Sequence, residues 1–169
     1  LDTDALCAIG NKIGADVPIC LKGGTQYSIS SGDMITAECA HNCVFICIYP
    51  DFTLSTAEAY TKYDENPTVI NPHYADFVSS IVCGSLSDGA KYISNVFTEI
   101  YHDRRIDEIK NDILSAGAIS SEMTGSGSVV FGIFESAEKA GAAMDILSEK
   151  YHDVFTAYPV DCGVAVVER

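Results

Sequence analysis

Met123-Thr124-Gly125-Ser126-Gly127-Ser128-Val129-Val130-Phe131-Gly132 places a glycine-bearing loop between two apolar segments. Two glycines one residue apart let a loop turn several amide N–H groups toward one point, which suits an anion such as phosphate. The segment that follows, Val129 to Phe134, reads as a strand. P-loop and dinucleotide fingerprints instead open a helix, so this loop is neither of them, and a plain β-hairpin turn is the competing reading. Working outward, Ala118 to Met123 reads as the strand before the loop. Ser136 caps a helix running to about Tyr151, and Val154–Tyr158 and Val164–Val167 read as closing strands. Strand, loop, strand, helix, strand is the order of an antiparallel sheet with helices packed on one face, an α+β fold.

Upstream of the loop the pattern is mainly helical. Ile106 to Ala116 is amphipathic and is closed by Gly117. Ile93 to Tyr101 is a further helical stretch, and Asn71 and Pro72 read as N-cap and first residue of a helix carrying Tyr74, Phe77, Val78 and Ile81. Ser55 and Glu58 form a capping-box pattern for a helix from Thr56 to about Lys62. Cys43 to Tyr49 is the strand signal of the first half, stopped by Pro50 and Asp51. Thr25–Ser30 and Met34–Ala37 are short strands around a turn. Thr3 reads as the N-cap of an opening helix striped by Leu6, Ile9 and Ile13, followed by Asp16-Val17-Pro18 and the apolar run Ile19 to Leu21.

Composition narrows the function classes. The 169 residues suffice for one domain plus part of another. A formal net charge of −14 makes nucleic acid and anionic membrane surfaces unfavourable partners. No apolar run reaches the roughly 20 residues of a membrane span. Seven cysteines, an odd number in a chain of this size, read as reduced and the compartment as cytoplasmic. Cys39, His41, Cys43 and Cys47 invite a metal reading, but a second ligand pair at zinc spacing is lacking, and the expectation is no metal site. The chain opens on Leu1, and its natural N-terminus is expected upstream.

Three features bear on chemistry besides the loop of Thr124, Gly125, Ser126, Gly127 and Ser128. Asp16 sits between a helix end and Val-Pro, where a fixed carboxylate can take a proton from a hydroxyl; a turn aspartate bonded to its own backbone is the alternative. Thr56 and Tyr60, four apart on one helix, share a face and set a hydroxyl beside an aromatic ring. The four histidines are scattered, and the acidic residues look like a solvated surface.

Four segments in order resemble one family. They are Ile13-Gly-Ala-Asp-Val-Pro-Ile-Cys-Leu-Lys-Gly-Gly-Thr25, Ser55-Thr56-Ala-Glu-Ala-Tyr60 after Pro50-Asp51, Asn95-Val-Phe97, and Met123-Thr-Gly-Ser-Gly-Ser-Val-Val-Phe131-Gly132. Together they are similar to motifs of the 4-diphosphocytidyl-2-C-methyl-D-erythritol kinases of the GHMP superfamily. Thr124 stands where Ser is usual in that pattern, and Asp33 where Glu is usual.

The resemblance implies a GHMP-kinase C-terminal domain and a function of γ-phosphoryl transfer from ATP to a hydroxyl of the small-molecule substrate 4-diphosphocytidyl-2-C-methyl-D-erythritol, in non-mevalonate isoprenoid synthesis. It implies Asp16 as the catalytic base, Thr56 and Tyr60 as substrate-binding, and the Thr124–Ser128 loop beside the transferred phosphate. The family's Lys-bearing first motif and its long Gly/Ser-rich ATP loop are not found here, so ATP and Mg2+ are expected to be held mainly by a segment upstream. Residues 1–27, with a closing strand near 158–169, are then expected to be a remnant of the nucleotide-binding domain and 28–157 the substrate domain. Such a piece is expected to be inactive alone and prone to self-association. Another GHMP small-molecule kinase, or a non-catalytic ligand-binding domain of the same fold, are the alternatives.

Overall fold

The computed structural model describes residues 2–30, 33–37, 43–65, 73–82 and 86–164. The chain divides into two compact units, one made of Leu1–His41 with Pro159–Arg169 and one of Asn42–Tyr158.

In the first unit, helix α1 (Thr3–Gly10) is capped by Asp2, whose side chain accepts from the Ala5 amide at 2.8 Å. The cap therefore lies one residue before Thr3, because the aspartate carboxylate reaches the free first-turn donor. Helix α2 (Val17–Lys22) takes up the apolar run that follows Asp16. Pro18 does not prevent it, since the first turn of a helix needs no N–H at that position. Gly23, at φ 68°, ends α2 in contact with Gly163, and a Cβ there would lie 2.1 Å from the Gly163 nitrogen. Strands β1 (Thr25–Ser30) and β2 (Asp33–Ala37) form an antiparallel hairpin with Thr25 opposite Ala37. Val164 is not in a strand, and the rest of the expected Val164–Val167 strand lies outside the described residues, as do Asn71 and Pro72 of the expected cap.

The second unit is built on four strands. β3 (Val44–Tyr49) is followed by helices α3 (Thr56–Glu65), α4 (Tyr74–Val82), α5 (Leu86–Ala90), α6 (Val96–Tyr101) and α7 (Arg104–Ser115). Then come β4 (Ser120–Met123), β5 (Val130–Phe134), α8 (Ala137–Ser148) and β6 (Asp153–Ala157). The sheet is antiparallel in the order β4-β5-β3-β6. Two crossovers, ending in α7 and made by α8, each skip one strand, which is the split β-α-β arrangement of ferredoxin-like folds.

Period-2 alternation explains β3: Val44, Ile46 and Ile48 are buried on the face that carries α7 and α8. Ile106, Ile109 and Ile113 of α7 and Ala140, Ala143 and Leu147 of α8 meet them. Gly132 lets α7 approach the sheet, since a Cβ there would lie 2.1 Å from Ile113 Cγ2. Truncating Ile113, which is fully buried, is worth about 2–5 kcal/mol. Asp103 and Ser136 cap α7 and α8 through their side-chain oxygens.

Candidate active site

The loop between β4 and β5 is closed at its base by a hydrogen bond from the Thr124 amide to the Val129 carbonyl, 2.9 Å. Inside it the Gly127 amide donates to the Thr124 carbonyl at 3.1 Å. Gly125 (φ 55°) and Gly127 (φ 95°) occupy left-handed backbone that disfavours a side chain. At Gly127 space is lacking too, because a Cβ would come within 2.8 Å of both Leu54 Cδ1 and Met123 Sδ. Ser128 Oγ donates to the Phe52 carbonyl at 2.7 Å, so this hydroxyl ties the loop to the segment after β3. Among the described residues the amides of Gly125, Ser126 and Ser128 have no hydrogen-bond partner. Gly125 is exposed and Ser126 half-buried, so these two amides remain available to an anion, which fits a phosphate group, whereas Ser128 is buried.

Helix α3 stands against this loop. Thr56 Oγ1 and Ser126 Oγ are 2.8 Å apart, one hydroxyl donating to the other. One turn on, the Tyr60 ring is 56% exposed and rests edge-on against Phe97, with centroids 5.2 Å apart. Tyr63 leans on the same Phe97. Ser55 caps α3 by accepting from the Glu58 amide, but Glu58 does not complete the box; its carboxylate pairs with Lys62 at 3.0 Å. Tyr101 donates to the Ser55 carbonyl at 2.8 Å, joining the end of α6 to the start of α3.

Beside this start lies an open cavity of about 680 Å³, lined in part by Lys62, His102, Arg104 and Arg105. The lining also holds the carboxylates of Glu58 and Asp103, which pair with Lys62 and Arg105. The Arg105 guanidinium hydrogen-bonds the Asp103 carboxyl and holds it below the ordinary aspartate value. Burial, together with the Glu58 carboxylate, pushes the Tyr101 phenol up.

Asp16 belongs to the first unit. It occupies the N-cap position of α2, is exposed, and makes no capping bond with its side chain. The carboxylate is thus not consumed by its own backbone.

Residues 98–153 match the family described as GHMP kinases C terminal. A 4-diphosphocytidyl-2-C-methyl-D-erythritol kinase of Clostridium novyi is 33% identical over 155 residues, covering 90% of this chain and 55% of that protein. Over residues 98–153 the chain carries the C-terminal domain of the GHMP kinases. The enzyme of the same description from Caldanaerobacter subterraneus subsp. tengcongensis is 34% identical over 154 residues, 89% of this chain and 51% of that one. The chain spans about half the length of the curated relatives it matches. Among solved structures, a homoserine kinase from Cytophaga hutchinsonii superposes with TM-score 0.78 at 18% identity over 96% of this chain and 60% of its own. A 4-(cytidine 5'-diphospho)-2C-methyl-D-erythritol kinase superposes with TM-score 0.71, also at 18% identity, over 92% and 56%.

Within this GHMP-kinase domain the residues behind the loop were not anticipated from the sequence. Glu122, 6% exposed, accepts from Thr98 Oγ1 (2.7 Å) and the Met123 amide (2.8 Å) through one oxygen, and from Lys110 Nζ (2.8 Å) through the other. This carboxylate joins β4, α6 and α7. Asn95, noted only as part of a motif, caps α6 and also donates to the Met123 and Gly125 carbonyls. The one local signal was the three-residue spacing of Asn95 and Thr98, which sets both on one side of the α6 start.

Among the described residues of the domain no group of three His, Cys, Asp or Glu side chains is placed to hold a metal. Cys39 and His41 lie outside the described residues. Burial pushes the Cys43 and Cys47 thiols up, which disfavours the thiolate a metal needs. Among the described residues no helix is long and apolar enough to cross a membrane.

Proposed function

We propose that this chain is the substrate-side part of an ATP-dependent kinase that phosphorylates a hydroxyl of 4-diphosphocytidyl-2-C-methyl-D-erythritol, a step of non-mevalonate isoprenoid synthesis. The observation that carries the reading is the loop with available amides at Gly125 and Ser126, joined to α3 through Thr56 and Ser126. Phosphoryl transfer needs positioning and charge stabilisation more than covalent chemistry, and such a loop supplies both beside the transferred group. Asp16, its carboxylate free of capping bonds, is the proposed base that takes the proton of the attacking hydroxyl. Thr56 and the exposed ring of Tyr60 are the proposed contacts for the polar, ring-bearing substrate.

The choice of substrate rests on the relatives at 33–34% identity, which bear that kinase name. The homoserine kinase likeness, at 18% identity, supports the fold alone. ATP supplies the phosphoryl group and Mg2+ its charge neutralisation. We assign both mainly to the part of the protein outside this chain, with residues 1–27 and the 158–169 segment as the portion of the nucleotide-binding domain retained here. Taken alone, the chain is proposed to be inactive.

The test is a transfer assay on a full-length protein containing this chain, with ATP and the cytidine-diphosphate substrate. Asp16→Asn should lower turnover by about 10²–10⁴-fold, the usual worth of a general base, with substrate affinity within a few-fold. Turnover close to that of the unaltered protein would remove Asp16 from the mechanism. Failure of the unaltered protein to phosphorylate this substrate, with transfer to homoserine instead, would replace the substrate assignment.

A further inference from the structure

The β4–β5 loop does not hold its shape by itself. Its two glycines give it freedom, and only two backbone hydrogen bonds lie within it. Besides the contacts of Ser128 with Phe52 and of Ser126 with Thr56, the carboxamide of Asn95 reaches into it from outside. Nδ2 donates to the Met123 carbonyl and to the Gly125 carbonyl, each at 2.7 Å, while Oδ1 accepts from the Phe97 amide at 2.9 Å. The orientation of the carboxamide is not arbitrary. Phe97 offers a donor and so requires the oxygen, and the two carbonyls require the two N–H groups. Both N–H groups of the side chain are used.

Peptide geometry turns these contacts into a statement about the anion donors. In a trans peptide the carbonyl and the following amide point in opposite directions. Holding the Met123 carbonyl toward Asn95 therefore turns the Thr124 N–H away, to the Val129 carbonyl, the bond that closes the loop. Holding the Gly125 carbonyl toward Asn95 likewise turns the Ser126 N–H away from α6, on the residue whose hydroxyl meets Thr56.

We infer that Asn95 is the positioning residue of this loop: its carboxamide fixes the direction in which the Ser126 amide is presented to a phosphate group. Three residues on, Thr98 holds the Glu122 carboxylate, so α6 grips β4 at a second point and the reference frame for Asn95 is itself fixed. The residue type follows. Aspartate retains the helix cap but lacks both donors, and serine retains a capping oxygen but cannot span two carbonyls. The inference deepens the phosphate reading of the loop and rests on it.

The experiment is a titration of the ¹⁵N-labelled 169-residue chain with inorganic phosphate, following amide resonances, for the unaltered chain, Asn95→Asp and Asn95→Ser. Both variants keep an oxygen for the Phe97 amide, so circular dichroism and the Phe97 resonance report whether α6 survives. The unaltered chain should show a saturable shift of Ser126. In both variants that response should weaken about tenfold or vanish, the scale of one lost hydrogen bond. Exchange of the Thr124 amide should accelerate in parallel. Variants that keep α6 and respond to phosphate like the unaltered chain would overturn the role of Asn95 while leaving the phosphate reading intact. A silent Ser126 in the unaltered chain would overturn the phosphate reading and this inference with it.

Discussion

Thr56 and Ser126, seventy positions apart in sequence, meet through their hydroxyls at 2.8 Å. The contact joins the start of α3 to the tip of the β4–β5 loop, so the two candidate substrate elements are one assembly. In a double-mutant cycle with Thr56→Val and Ser126→Ala, urea unfolding of the chain should give a coupling of about 0.5–1 kcal/mol, the low end for a hydrogen bond near solvent. Additive effects of the two substitutions would mean that the pair adds nothing to the joint.

Glu122 carries a larger stake. Replacing it with Ala strands the Lys110 ammonium, the Thr98 hydroxyl and the Met123 amide together. The loss should be about 1–3 kcal/mol, because a half-buried ammonium and two neighbouring donors are left without their acceptor. Adding Lys110→Met to Glu122→Ala should recover part of it. If the double variant proves less stable than Glu122→Ala, the penalty does not come from the stranded ammonium.

The two loop glycines should respond differently to alanine. Gly125→Ala meets nothing within 4 Å and bears only the left-handed backbone penalty, about 1–2 kcal/mol. Gly127→Ala bears that and also drives a methyl into Leu54 and Met123, so its midpoint in denaturant should fall further. Equal midpoints would show that Leu54 and Met123 yield without cost.

At high pH the joint between α7 and the start of β6 should weaken. Burial, and then a hydrogen bond to Asp112, push the Tyr151 phenol up to about 12 from its ordinary 10. A group whose pKa is raised by folding stabilises fully below its unfolded value and loses that contribution as pH rises through the folded one. The melting temperature should therefore fall between about pH 10 and 12, and Tyr151→Phe should flatten that part of the profile. An unchanged slope in the variant would assign the fall to other phenols and lysines.

The parts of the fold that were legible in the sequence are those fixed by neighbours along the chain. Val44, Ile46 and Ile48 announce a strand by alternation, Ile106, Ile109 and Ile113 a helix by their spacing, and Gly125 and Gly127 a turn by chemistry. Helix α2 was hidden because Pro18 reads as a break unless the helix start is already known. Glu122 looked like one more solvated acid; its burial follows from Lys110 and Thr98, which approach only after α6 and α7 have packed on β4. Likewise Asn95 is recognisable as a cap within three residues, whereas its hold on Met123 and Gly125 spans 28 and 30 positions and belongs to tertiary structure alone.

Phe45 lies opposite Ala157, so the first and last strands of the second unit are hydrogen-bonded neighbours. The ladder between β3 and β6 sets the start of the first strand beside the end of the last. The Asn42–Tyr158 segment therefore has the layout of a cassette: excised whole, its ends bridged by a short linker and reopened at an exposed turn, it should preserve the pairing of its central strands.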